Sequence, residues 1–252
     1  MGNEYRKPFL KEVITRLDFV SPLLKVEKTL PIELTKVISP IFPIPEPRKF
    51  IAKDLQVSPQ ETKEKIKGGI DWFFHGKERE KTLCISPTFI WIQYTVYDSF
   101  DSLKNDFFPI VGALFDISND LQVNRFGLRY INSIELQENN TYDWNEYLDE
   151  KLLTIFDIPE DINKIRQAFN TLTIKEGDIF LRFQYGMHNP DFPAPIRKKI
   201  FVLDYDAYCE GLQDMEDIKK NIDVFHDKIE NLFEENITKK LREKMEIISN
   251  GQ

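Results

Sequence analysis

The sequence predicts an α+β fold: an extended antiparallel sheet with helices packed on one face and a long C-terminal helix. Three observations predict it. The element order strand, helix, strands, helix is written over residues 9–115 and again over 122–248. The strand candidates alternate apolar and polar side chains, as strands do when one sheet face is buried and the other is wet. The chain closes on Ile218, Ile222, Phe225, Ile229, Phe233, Ile237, Leu241 and Met245, spaced by threes and fours as on one helix face. Two similar β-α-β-β-β-α halves, about 9–115 and 122–248, then make one domain.

The elements follow in order. Residues 9–20 read as a strand, with Val13, Leu17 and Phe19 on one side and Glu12, Ile14, Arg16 and Asp18 on the other. A helix is expected over 31–42, with Pro31 in its first turn. Pro40, Pro43, Pro45 and Pro47 then forbid regular structure and make a rigid connector. Residues 49–57 read as a strand, and 60–67 as a charged, irregular stretch. Strands are expected at Ile70–His75, Thr82–Ser86 and Phe89–Tyr97, the last heavy on both faces and so central. Ser99 or Ser102 caps a helix over 99–115, which Pro109 should end or kink.

The second half opens with the longest strand, Val123–Leu136. It sets Phe126, Leu128, Tyr130, Ile134 and Leu136 against Arg125, Gly127, Arg129, Ile131 and Ser133. Asp143 and Glu146 have capping-box spacing, so a helix is expected over 143–156, with a short one over 159–169. Strands are expected at 172–174, 179–185 and 198–204, with a long ordered loop over 186–195. The final helix should run from about 215 to 248.

Composition narrows the function classes. A net charge of −8 argues against a whole-surface nucleic-acid binder. No apolar run approaches the roughly 18 residues that span a bilayer, and the polar start Met1–Lys7 lacks a signal-peptide core. The expected compartment is the cytoplasm. Cys84 and Cys209 lie far apart and read as thiols, with Cys84 buried on its strand. Three histidines, unclustered, predict no metal site. There is no phosphate loop and no nucleophile elbow, so no cofactor is expected.

The candidate site is the polar side of the sheet. Arg16, Arg125, Arg129 and Arg182 fall there by alternation, with Gln184 beside Arg182. Grouped guanidinium groups hold carboxylate or phosphate through paired hydrogen bonds. The plainer reading is a wet face whose charges pair among themselves, with Glu12 and Asp18 as partners. Lys77 and Arg79, in the turn Gly76–Lys81, and His188, in the Pro-rich loop with Asp191, are candidate partner contacts.

Two stretches carry a resemblance. Trp72-Phe73-Phe74-His75-Gly76-Lys77-Glu78-Arg79-Glu80-Lys81 and Arg125-Phe126-Gly127-Leu128-Arg129-Tyr130-Ile131-Asn132 resemble a family of prokaryotic proteins of about this length, sporadically distributed. That resemblance implies a match over essentially the whole chain and brings no activity with it. Helix-grip and saddle-like folds are the nearest architectures by element order.

The expected function is a non-enzymatic binding or adaptor module that holds a protein or a small anionic ligand on its Arg-bearing face. Two other readings stay open. One is an enzyme acting on a nucleotide or phosphorylated substrate, with Glu12, Asp18 or His188 as acid or base. The other is a pocket for an apolar ligand beneath the last helix. The long apolar stripe also admits a homodimer, since a second subunit is one surface that could cover it.

Overall fold

Strand β1 (Leu10–Phe19) shows how alternation sorts the chain. Val13, Thr15, Leu17 and Phe19 are buried, whereas Glu12, Ile14, Arg16 and Asp18 are half-buried. The computed structural model describes residues 4–57, 62–118 and 120–248, with side chains outside 52–67. After β1 come α1 (Ile32–Ile38), β2 (Ile44–Val57), β3 (Thr62–His75), β4 (Lys81–Ile85), β5 (Phe89–Tyr94) and α2 (Phe100–Ile117). Then follow β6 (Val123–Leu136), three short 3-10 turns, β7 (Ala168–Glu176), β8 (Ile179–Met187), β9 (Lys199–Gln213), α3 (Met215–Asn236) and α4 (Lys239–Met245). The strands form an antiparallel sheet in the order β2-β3-β4-β5-β1-β6-β9-β8-β7. The fold class is the α+β one that the sequence predicts.

Contacts divide the chain into two compact units. One comprises Met1–Val13, Gly127–Cys209 and Lys220–Gln252; the other comprises Ile14–Phe126 and Glu210–Lys219. For brevity they are the second-half unit and the first-half unit.

In the first-half unit the core stripe of α2 is Leu103, Phe107, Ile110, Val111 and Leu114, all buried. Burying each such side chain stabilises the fold by about 1.5–3 kcal/mol. Phe107 stacks on Phe126, centroids 5.9 Å apart, which fixes α2 on the apolar side of the strands. Ser99 caps α2 by accepting from the Ser102 N–H. Pro109 lies inside α2 on its exposed side, and the helix continues through it to Ile117. The expected end at Pro109 is therefore wrong; the packed stripe on both sides outweighs one lost hydrogen bond.

In the second-half unit α3 buries Ile222, Phe225 and Ile229. Phe233 of α3 meets Tyr205 edge-on at 6.3 Å, and Phe183 stacks on Tyr205 at 4.5 Å. Tyr205 is fully buried, its phenol accepting from Asn236 Nδ2 at 3.1 Å. Gly186 has φ +146°, and a Cβ there would lie 2.0 Å from the Ala168 carbonyl oxygen. Only glycine lets β7 pass β8 at that point.

Several expectations need correction. The Pro-rich connector is irregular only at Pro40 and Pro43: β2 begins at Ile44 and includes Pro45 and Pro47. β2 is an end strand of the sheet, and prolines two apart leave their missing donors on one side, as fits the outer side, where among the described residues no strand pairs. Residues 62–67 of the charged stretch belong to β3, paired with β2 from Val57↔Thr62 onward; 60 and 61 lie outside the described residues. No α-helix forms over 143–156, only 3-10 turns at Glu150–Leu152 and Thr154–Asp157. Leu148 bridges to Ile237, and the Asp149 N–H donates to the Asn236 carbonyl, so backbone groups that a helix would need are used elsewhere. Trp144 meanwhile anchors the segment on Phe201 at 5.3 Å. The helix over 159–169 reduces to a turn at Ile162–Lys164. The final helix breaks at Ile237, and Thr238 caps α4 by accepting from the Leu241 N–H.

Candidate functional site on the open strand faces

The open face of the first-half unit is built by cross-strand register. Phe73 stands opposite Glu46 and Cys84, and Cys84 stands opposite Trp91. Phe89 precedes Trp91 by two on β5, so both point the same way. Phe73 and Trp91 meet edge-on at 5.8 Å. Half-buried Phe89, Trp91 and Phe73 thus form an aromatic row.

A guanidinium lies over a ring at each end of this row. Arg16 sits 4.5 Å from the centre of Phe89, and Arg48 sits 4.2 Å from the centre of Phe73. Arg16 donates from Nε and Nη2 to Asp18 Oδ1, at 2.9 and 2.6 Å. Arg125 Nη1 lies 3.8 Å from the other oxygen of Asp18. Arg48 donates from Nη2 and Nε to Glu46 Oε1, at 2.7 and 3.2 Å. Arg79 donates to Glu46 Oε2 at 3.2 Å, and His75 Nε2 lies 3.2 Å from the same oxygen. The hydrogen bonds from Arg48 and then Arg79 pull the Glu46 carboxyl down to about 2. Cys84 is 1% exposed beneath the row. Burial, and then the charge of Asp71, pushes its thiol up to about 12.

The open face of the second-half unit is different. Arg129 donates to both oxygens of Asp204, Nε at 2.8 Å and Nη2 at 2.6 Å. That bidentate pair raises the Arg129 pKa. Arg182 donates to Asp206 at 2.7 Å, directly across from it in register. Both aspartates are buried, at 5% and 6% exposure. Gln184 donates to Thr171 Oγ1 at 3.2 Å.

The candidate residues therefore separate. Arg16 and Arg125 meet at Asp18 in one unit; Arg129 and Arg182 lie on neighbouring positions of the Asp204-x-Asp206 pair in the other. Lys77 is exposed in its turn, and Arg79 is held at Glu46 with a φ of 57°. His75 ends β3, as the expected strand Ile70–His75 has it, and is buried, with Nδ1 3.0 Å from Thr82 Oγ1. His188 and Asp191 are both exposed in the loop after β8.

Sequence reasoning missed Arg48, Glu46, Asp204 and Asp206. The signal for the aspartates was present: a Asp-x-Asp alternation in an apolar strand needs cationic neighbours, and Arg182-x-Gln184 is one such strand. Arg48 was hidden by the prolines around it.

Two grooves of about 330 Å³ each lie on the helix side of the strands. One, in the first-half unit, is lined by Lys81, Tyr94, Asp98, Ser102 and Asp106 among others. Asp106 there accepts from Lys81 at 2.7 Å and from the Tyr94 hydroxyl at 2.8 Å. Burial, and then the Asp106 charge, raises the Tyr94 pKa. The other groove, in the second-half unit, lies between β7–β8 and α3. Among the described residues no group of three His, Cys, Asp or Glu side chains is placed to hold a metal ion. No helix of the described residues is long and apolar enough to cross a membrane.

No protein-family model and no curated protein matches the chain. Among solved structures, Methanococcus jannaschii TBP is similar at 9% identity, over 89% of this chain and 99% of that one, with a TM-score of 0.27. A similarity of that size carries no inference about what this chain binds.

Proposed function

We propose that this chain is a non-enzymatic binding module of the prokaryotic cytoplasm that holds an acidic protein segment on the open face of its first-half unit. The observation that carries the reading is the aromatic row with a guanidinium lying over a ring at each end, Arg16 over Phe89 and Arg48 over Phe73. The Arg16 and Arg48 side chains are 42% and 55% exposed, so a partner can reach them. A guanidinium stacked on a ring loses little freedom when it binds a carboxylate, and a partner's carboxylate would share or replace Asp18 and Glu46 at the Nε–Nη2 edges. The row between them offers half-exposed aromatic surface, of the kind enriched at binding hot spots.

Of the arginines chosen from sequence, Arg16 and Arg125 fit this role best. Arg129 and Arg182 are committed to buried carboxylates. The test is selection of acidic peptides from a phage-displayed library, followed by affinity measurement on Arg16→Ala and Arg48→Ala. Each variant should weaken the selected peptides by about tenfold or more, a loss of about 1.4 kcal/mol. A library that enriches nothing over the double variant would overturn the proposal. Turnover in a phosphoesterase panel, lost in Arg16→Ala, would replace it with the enzyme reading.

A further inference from the structure

We propose that β7 is a self-pairing edge: two copies of this chain join through their β7 strands, antiparallel about a twofold axis at Leu172. β7 is an end strand of the sheet, and among the described residues no strand pairs with its outer side. Its nine residues, Ala168–Glu176, contain no proline and no glycine, and its only charges are the last two, Lys175 and Glu176. Edge strands that stay single are usually short, or broken by proline, bulges or inward charges. β2, at the opposite end of the sheet order, carries Pro45 and Pro47; β7 has no such guard.

The helix side of β7 is only partly covered: α3 reaches it at its end, where Lys228 pairs with Glu176. Ile174 stands opposite Leu181, and Leu172 opposite Phe183, so both point to the side where α3 packs. Yet Leu172 is 49% exposed, and the open groove between β7 and α3 is lined by apolar Ile174, Leu181 and Leu232 and by polar Glu176, Lys228 and Glu235. Leu172, which the chain's own helix leaves half bare, adjoins an open backbone ladder.

The register selects the occupant. A twofold axis at Leu172 sets Leu172 against its own copy, Thr171 against Thr173, Asn170 against Ile174, and Phe169 against Lys175. Each such contact except the first occurs twice. Three pairings, apolar with apolar, hydroxyl with hydroxyl and cation with ring, are favourable across strands, and they outnumber the one mismatch, Asn170 against Ile174. Glu176 falls opposite Ala168, so no like charges oppose one another. An isologous interface needs this kind of self-complementarity.

Sedimentation equilibrium of the full chain tests the proposal. The wild type should be a concentration-dependent dimer, and Leu172→Lys should weaken it at least about tenfold by setting two ammonium groups face to face. Leu172 is half exposed, so the lysine is compatible with a folded monomer, which circular dichroism checks. Cysteine capture provides a second readout. Directly opposed Cα atoms in an antiparallel pair lie about 4.5–5.5 Å apart, within disulfide reach. Under diamide, Leu172→Cys should cross-link to a covalent dimer and Phe169→Cys should not. The native thiols, Cys84 and Cys209, are both buried. A wild type that stays monomeric at its highest soluble concentration, or a dimer indifferent to Leu172→Lys, would overturn the proposal.

Discussion

In the second-half unit Arg129 gives two hydrogen bonds to the two oxygens of a buried aspartate, whereas in the first-half unit Arg16 and Arg48 lie over aromatic rings and pair with more exposed acids. All three project from the open side of strands. The side chains of the acidic partners set them apart: Asp204 is 8% exposed, Asp18 24% and Glu46 38%. A carboxylate out of water needs its cation, so Arg129 is a structural residue. A carboxylate in water releases its cation at little cost, so Arg16 and Arg48 are available to a partner.

Stability separates the two most sharply. Arg129→Ala leaves Asp204 buried without its partner and should cost about 2–3 kcal/mol, read as a drop in urea midpoint. Arg16→Ala should cost about 1 kcal/mol or less by the same assay. Equal losses would erase the distinction.

Acid sharpens the comparison. The Glu46 pKa in the folded chain is lowered from 4.5 to about 2, so the unfolded chain binds more protons between those values. Glu46 therefore contributes stability that is fully present above pH 4.5 and is lost as pH falls toward about 2. Glu46→Gln should flatten that part of the stability profile, measured by denaturation at successive pH values. An unchanged slope would show that the arginines around Glu46 do not hold it in solution.

The smallest effect concerns Cys84, which should resist alkylation in the native wild type because it is covered and its thiol is pushed up to about 12. Trp91→Ala opens the aromatic row over it and should speed alkylation, read by intact mass. Equal rates would mean that the row is not what covers the thiol.

Alternation made the strand faces legible. On β6 the residues the sequence marks, Phe126, Leu128, Tyr130, Ile134 and Leu136, are all buried, joined by Val123, Gly127 and Asn132, which it does not mark, and the stripe of α3 is read correctly through Ile229. What sequence could not show came from partners distant along the chain. Asp143 and Glu146 have the spacing of a helix start, yet the bridge from Leu148 to Ile237 and the packing of Trp144 on Phe201 take that segment elsewhere. Pro45 and Pro47 read as breakers because their tolerance depends on being at a sheet end, which no local pattern reveals. The arginines were legible as a polar face. Their separation into locked and stacked groups depends on which strand lies beside which.

The boundary of the two compact units has a consequence for how the polypeptide is made. The unit that holds Ile14–Phe126 also takes in Glu210–Lys219, and the other takes in Met1–Val13. Neither is an uninterrupted stretch, so a ribosome cannot release one finished before starting the next. Fragments severed between α2 and β6 should each lack a piece of their own unit, and such a protein would rather be reopened at a surface turn, as a circular permutant, than be divided in two.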